Sequence, residues 1–353
     1  MKPMNEIVEN AVISSWVRHF LRHPSQVNRL HESDAELLEI PTDHQNYLAV
    51  TIDTVADEVA NGLYKDPYTI GWVTVMACAS DLAAVGAYPL GMVLSVCVES
   101  ERDKKFTDAI ARGIADACQR LGIFILGGDI NLTPSLSLTG CAFGTVPRES
   151  VMTRCGCQEG EYIFISGGAG MGNALGLVRL KNLPGELFPE TLYRPTAHIH
   201  HGQIIAPFAS CSMDTSDGVL TTLDQLIRLN NKGFIIDGDW DRILSPSVWQ
   251  LCKKTKTPPR AMLAGPHGEF RLIFTVPPNN VDALLDRFQT TKNKPILLGR
   301  VQEKPVITIK SPSGDMKDIN MTPLRNLLDS VGGNLQRYAE EFMKCISRWG
   351  LGE

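Results

Sequence analysis

The chain lacks several features that would name a partner at once. Its 353 residues carry 34 lysines and arginines against 39 aspartates and glutamates, a formal net charge of -5. That balance leaves no basic footprint for nucleic acid or an anionic membrane, and no block of like charges suggests an interaction tail. Glu6, Glu9, Arg18 and His19 interrupt the first 21 residues, so neither a signal-peptide core nor a spanning segment is expected there, and a cytoplasmic protein fits best. The nine cysteines are an odd number without the spacing of a disulfide framework, which favours reduced thiols. Cys155 and Cys157 form the one close cysteine pair, and His198, His200 and His201 the one close histidine cluster. Zinc sites usually show two separated pairs, so the histidines are read as surface residues and neither group as a metal centre. Also absent is the Lys-Ser/Thr ending of a P-loop, and no glycine-rich run presents a convincing dinucleotide fingerprint.

What is present begins with length. A chain of 353 residues exceeds the size at which one hydrophobic core usually stops growing, so two domains are expected. The change to polar residues at Pro147-Arg148 suggests the boundary, giving domains 1–147 and 148–353 with a terminal helical region at 323–349. Residues 1 to 30 read as a helical lead-in that packs Val12, Ile13, Trp16, Val17 and Phe20 on one side. Strand patterns at Glu36–Ile40 and Tyr47–Ile52, a long apolar helix from Ile70 to a Gly86 cap, a strand from Pro89 to Glu99 and an amphipathic helix from Asp103 to Leu121 follow. In the second half, strands at 161–166, 233–237, 270–275 and 295–298 alternate with helical patterns. The whole predicts an α/β (α+β) protein.

Several carboxylates stand where a solvated role is uneconomical. Asp214, Ser216 and Asp217 lie within four positions at the mouth of a predicted helix. A cap would use only one of these side chains, whereas two converging carboxylates beside a hydroxyl suit a hard cation such as magnesium. Asp81 sits among Ala79, Leu82, Ala83 and Ala84, where an ionised carboxylate needs a cation or several donors. Asp34 and Asp53 flank the first strand pair. Gly127-Gly128-Asp129 is read as the carboxyl end of a strand, a common ligand position in α/β proteins. The strand at 161–166 runs into Gly167, Gly168 and Gly170 and then a helix, a candidate phosphate-binding element whose backbone N–H groups would face an anion.

Taken in order, Thr51-Ile52-Asp53, Ile70-Gly71-Trp72, Ser80 to Ala87, Gly127-Gly128-Asp129, Gly160 to Gly176, Asp214 to Gly218 and Leu298 to Val301 resemble the thiamine-monophosphate kinase branch of the aminoimidazole ribonucleotide synthetase (PurM-like) superfamily. The resemblance spans roughly residues 30 to 310. It implies an N-terminal domain whose strands pair across a homodimer into a barrel, and a C-terminal α/β domain covering an ATP-binding cleft. Asp34, Asp53, Asp81, Asp129, Asp214 and Asp217, helped by Ser216, match positions that hold magnesium against the triphosphate. Arg154 matches an arginine near the phosphates, and Gly167 to Gly172 a mobile glycine-rich segment. With Asp217, Arg154 is then expected to act in transfer of the γ-phosphoryl group to a small-molecule acceptor.

The sequence also departs from the family. Glu32-Ser33-Asp34 replaces Gly-Asp-Asp, and His267-Gly268-Glu269-Phe270 replaces Gly-Glu-Asp-Tyr. A histidine near Ala60, an asparagine near Cys78, a threonine at Ile130 and an aromatic motif near the C-terminus are missing. These losses touch the acceptor pocket more than the metal cradle. A synthetase that activates an amide or carboxylate by phosphorylation, and a non-catalytic nucleotide-binding protein, remain alternatives.

Overall fold

The computed structural model describes residues 2–238, 242–291, 293–310 and 314–351. The first sheet is made of β1 (Glu36–Ile40), β2 (Asp43–Thr54), β3 (Tyr88–Glu99), β4 (Ile125–Thr133) and β5 (Ser137–Pro147), in the order β1-β2-β5-β3-β4. Only β3 and β4 run parallel; the other pairs are antiparallel. Along β5 buried and half-buried residues alternate strictly, as a strand with one covered face requires. Helices α1 (Val8–Val17) and α2 (Ala56–Ala60) are short, and α3 (Pro67–Ala84) covers the inner face. Its Asp66 N-cap accepts from the Thr69 N–H, Pro67 opens its first turn, and Gly86 follows in the left-handed region at φ 77°. Against it lies α4 (Lys104–Leu121). A Cβ on Gly71 would stand 2.2 Å from the Ile110 carbonyl, and one on Gly113 2.1 Å from that of Tyr68, so both glycines permit the close crossing.

The second sheet contains β6 (Tyr162–Ile165), β7 (Cys211–Asp214), β8 (Gly233–Ile236), β9 (Leu272–Val276), β10 (Ile296–Gln302), β11 (Ile307–Lys310) and β12 (Met316–Ile319), ordered β12-β11-β8-β10-β6-β9-β7. Helices α5 (Met171–Leu180), α6 (Ile199–Ile205) and α7 (Val219–Asn230) follow β6 and β7 in the chain. Both α6 and β7 also touch α3. This contact between the two bodies brings their acidic residues together.

The structure corrects two expectations about the first half. The lead-in is a 3-10 turn at Met4–Glu6 and an α-helix over Val8–Val17, and Val12, Ile13, Trp16, Val17 and Phe20 are exposed, Trp16 at 66%. Its first ten residues dock instead on the second body. The Asn10 side-chain amide donates to Gln225, Lys2 meets Asp224, and Arg228 donates to the Pro3 carbonyl. The second correction concerns Gly127-Gly128-Asp129, which lies inside β4 rather than beyond its end. β4 is an edge strand that α3 and α4 do not cover, so Ile130 and Leu132 are each 74% exposed.

Candidate active site

Four carboxylates from four parts of the chain meet where α3 passes β2 and β7. Asp53 closes β2, Asp81 rides on α3, Asp214 ends β7 and Asp34 precedes β1. Oxygens of Asp34, Asp81 and Asp214 all lie within 4.8 Å of one another. Asp53 shares a hydrogen bond with Asp81. Thr51, one pleat before Asp53 on the same face of β2, donates its hydroxyl to Asp81. Ser80 donates to Asp214 Oδ2 at 2.5 Å, and Ser216 to Asp214 Oδ1 at 3.0 Å. Each motif thus orients the carboxylate of the next, Thr51 that of Asp81 and Ser80 that of Asp214.

Little positive charge offsets this group. Arg154 donates to Asp34 Oδ1 at 2.9 Å, and its backbone N–H binds the Glu32 carbonyl. Burial opposes the guanidinium's charge, yet Asp34, and more distantly Asp81 and Asp214, hold it above its ordinary pKa. One cation against four acids leaves like charges crowded in a site of low dielectric. Burial, then Asp34, pushes Asp214 up to about 7. Burial also raises Asp53 to about 6, with Asp217 and Asp34 adding to the rise and the hydrogen bond to Asp81 opposing it. Asp81 rises further, through burial and then through Asp53. Asp34 Oδ2, Ser33 Oγ and Arg154 Nε are buried without a hydrogen-bond partner among the described residues. An all-oxygen donor set with an orphaned carboxylate oxygen fits a hard divalent cation, magnesium in particular.

Asp217 is exposed in the loop leading to α7, where the surrounding protein mass raises its pKa while Arg325 and Arg154 pull it down. With Asp53 and Ser216 it lines a pocket of about 120 Å³. The helix that follows is not capped by an aspartate or serine side chain, so a cap does not account for these residues. Gly218 occupies the N-cap at φ 86°, and Thr222 donates back to the Asp214 and Gly218 carbonyls. The Asp214 and Ser216 side chains therefore serve the cluster.

Asp129 is not brought to this group. It pairs in register with Ser95, Ser95 with Thr139 and Thr139 with Thr54, so it lies three strands from Thr54, about 14 Å across the sheet. Strand alternation also puts it on the opposite face from Asp53. Its carboxylate accepts from Asn131 at 2.6 Å.

The glycine loop is also arranged differently from its sequence reading. The N–H groups of Gly170 and Gly172 donate to the Glu269 carboxylate at 3.1 and 2.7 Å, Met171 contributes another, and the Ala169 N–H binds the Ile243 carbonyl. The group that meets the N-terminus of α5 is therefore an internal carboxyl, itself buried and pushed up to about 7 by that burial, with the amides and Arg271 opposing the rise. Arg271 donates to the Gly168 carbonyl and to His198 Nε2. Because arginine can only donate, His198 Nε2 accepts and Nδ1 carries the proton toward Ser166 Oγ at 2.8 Å. Burial and Arg271 hold His198 well below its usual pKa. His198 is thus a buried neutral support, and His201 packs edge-on against it and Phe288; of the three histidines only His200 is on the surface. Thr51, Ser80 and Glu269 carry roles that their sequence motifs did not disclose, since each role consists of a contact across 30 or more positions.

Comparisons with known proteins bear on the family and the fold. The model for the N-terminal domain of AIR synthase related proteins matches residues 32–146. The thiamine-monophosphate kinase of Archaeoglobus fulgidus is 30% identical over 230 residues, covering 65% of this chain and 73% of that protein. The thiamine-monophosphate kinase of Pyrococcus horikoshii is 26% identical over 311 residues, 87% and 92% of the two chains. Among solved structures, AaThiL complexed with AMPPCP and TMP is similar in fold, with a TM-score of 0.72 at 21% identity over 89% of this chain and 96% of that one.

Proposed function

Because the chain belongs to the thiamine-monophosphate kinase family, we propose that it transfers the γ-phosphoryl group of ATP to the phosphate of thiamine monophosphate, yielding ADP and thiamine diphosphate. The observation that carries this reading is the buried carboxylate group, Asp34, Asp81 and Asp214 with oxygens within 4.8 Å and Asp53 bonded beside them. Magnesium held there, with Ser216 and Asp217 on the pocket side, would neutralise the triphosphate and polarise the phosphoryl group.

The chain's own groups supply position and charge. Thr51 and Ser80 fix the Asp81 and Asp214 carboxylates by donating to them. Arg154, anchored through Asp34 and the Glu32 carbonyl, offers a pre-oriented guanidinium to the charge that spreads over the phosphoryl oxygens. An acceptor phosphate oxygen attacks the γ-phosphorus in line as the bond to the β-phosphate's bridging oxygen breaks. Asp217 and Ser216 line the pocket where these partners would meet. In the Gly167–Gly170 loop the Gly170 amide is committed to Glu269 and the Ala169 amide to Ile243, which fixes that end of the loop beside the site.

The same reading gives the bare β4 edge to a second copy of the chain in a cytoplasmic homodimer, since Phe124, Ile130 and Leu132 are 70–74% exposed there. Asp129, Gly127 and Gly128 on that edge would then contribute at the subunit junction. The test is an assay of ADP release with thiamine monophosphate and magnesium, with the phosphorus product identified. A diphosphate ester supports the kinase; inorganic phosphate released in proportion to ADP, with the acceptor unphosphorylated, overturns it.

A further inference from the structure

Cys155 and Cys157 are close in sequence, but the fold gives Cys157 a different neighbour. Residues 153–157 run beside the start of β7, where the Ser212 N–H donates to the Thr153 carbonyl at 2.8 Å. A Cβ at Gly156 would stand 2.6 Å from the Ser210 carbonyl, so this approach requires glycine. It brings the Cys157 thiol against that of Cys211, the first residue of β7. Both are enclosed, at 2% and 0% exposure, whereas Cys155 is half-buried. Two thiols in contact need only approach to about 2 Å to become a disulfide.

The surroundings keep this pair reduced while the loop is shut. The Cys211 thiol, then burial, and less strongly the Glu161 carboxylate hold Cys157 above the ordinary thiol range, so little reactive thiolate is present. Glu161 is itself buried, accepts from Ser210 Oγ at 2.6 Å through Oε1, and leaves Oε2 without a partner among the described residues. Around Cys157 the loop is otherwise exposed at Gly156, Gln158, Glu159 and Gly160. One side chain latches it. Asn230, at the end of α7, accepts from the Gly156 and Cys157 N–H groups at 2.8 and 3.3 Å and donates to the Arg154 carbonyl at 2.8 Å. The pair is also tied closely to the metal cradle, since Cys157 follows Arg154 by three residues and Cys211 precedes Asp214 by three.

We propose that Cys157 and Cys211 are a redox-active dithiol, closed to a disulfide by small-molecule disulfides when the Asn230 latch opens, and that closure disturbs the metal cradle. In the opened loop the Cys157 thiolate attacks one sulfur of the small molecule, forming a mixed disulfide and expelling one thiolate. The Cys211 thiolate then displaces the second and leaves the Cys157–Cys211 bond. Two protein thiols are oxidised by two electrons, the small disulfide is reduced to two thiols, and the two protons leave with them. The short tethers to Arg154 and Asp214 carry the shift into the site. The dithiol goes beyond the kinase reading, and only its effect on nucleotide binding rests on that reading.

The test incubates the full chain with oxidised glutathione, identifies linked peptides by mass spectrometry without reduction, and titrates magnesium with a non-hydrolysable ATP analogue before and after. A Cys157–Cys211 peptide is expected, formed about 10-fold faster in Asn230→Ala, which removes latch bonds together worth about that factor, and still formed in Cys155→Ser. The linked protein should bind magnesium and the analogue about 10- to 100-fold more weakly, with dithiothreitol restoring the affinity. Cys157→Ala treated in the same way should keep its affinity. The proposal is overturned if no Cys157–Cys211 peptide forms, whether or not Cys155 takes up glutathione, if Asn230→Ala closes no faster, or if the linked protein binds as tightly as the reduced one. Should Asn230→Ala fail to fold, the linked peptide in wild type and its effect on affinity decide. If the reduced protein binds no analogue, the kinase reading fails and the linked peptide alone decides the dithiol.

Discussion

Two nests of buried carboxylate sit in this molecule, and they differ in what meets them. Glu269 is surrounded by donors: the N–H groups of Gly170, Met171 and Gly172 converge on it, with Arg271 nearby. Asp34, Asp53, Asp81 and Asp214 are surrounded largely by one another, with two hydroxyl donors from outside the site loops, Ser216 and one fixed arginine. A satisfied acid holds the fold together. An acid group left short of positive charge costs stability, and its persistence points to a charged ligand. Both nests are built from residues that look alike in sequence, so the pattern of donors separates structure from function.

The sharpest way to break this contrast is to neutralise one member of each nest. Asp81→Asn is expected to lower magnesium-dependent turnover by about 10³-fold or more while the protein stays folded, and Asp217→Asn should do nearly the same; circular dichroism and steady-state kinetics together check both. Glu269→Ala should behave oppositely, costing about 3 kcal/mol of stability by leaving buried amides unpaired, with turnover of the folded fraction changed only a few-fold. Chemical denaturation read beside initial rates would show this, and a catalytic collapse without destabilisation would erase the distinction.

The pH dependence sharpens it further. Asp53 and Asp214 are pushed up to about 6 and about 7 in the folded chain, and burial pushes Glu269 up to about 7 as well despite its amides, against about 4 for all three when unfolded. Between those values the folded state keeps protons that the unfolded state has released, so stability is greatest at low pH and declines as pH rises through about 7. The melting temperature of metal-free protein should therefore fall from pH 5 to pH 8, and magnesium should recover most of the loss at the upper end. Because Glu269 contributes to the same fall, the crowding of charge is contradicted by a flat or rising profile, or by a slope that Asp214→Asn leaves unchanged. Asp214→Asn should flatten the slope and raise metal-free stability at pH 8 by about 1 kcal/mol. The smallest effect belongs to Trp16→Ser on the exposed face of α1, expected within about 0.5 kcal/mol by denaturation.

Much of the architecture was legible from periodicity. The apolar run of α3 with its Gly86 stop, the amphipathic α4 with Asp103 and Gly122 at its ends, and the β1–β2 pair all stand within a few residues of their expected bounds. Pattern failed where burial and pattern part company. On the uncovered edge strand β4, exposed Ile130 and Leu132 follow Gly127-Gly128, which had looked like a strand end. The apolar side of α1 resembled a packing face but is bare. The short β11–β12 hairpin gave too few residues for a period to register.

The site followed the same division. Asp34, Asp53, Asp81 and Asp214 could be singled out because carboxylates in apolar or motif-bound settings demand explanation. That Glu269 would fill the helix terminus left open by Gly170 could not be foreseen, because the contact spans 99 positions. Nor could Arg325 be read as a neighbour of Asp217, since its orientation is set by Asp224 and Gln225 about a hundred residues away. Asp129 shows the converse: its motif is family-like, yet one chain alone leaves it across the sheet from the other acids.

The most direct test of the central claim is calorimetric titration of magnesium, with a non-hydrolysable ATP analogue present, at pH 7 in buffers of different ionisation enthalpy. Wild-type protein should bind the ion and release protons as Asp214 and Asp53 lose theirs, and Asp214→Asn should bind more weakly with fewer protons released. Binding that releases none, or that is equally strong in Asp214→Asn, would contradict it.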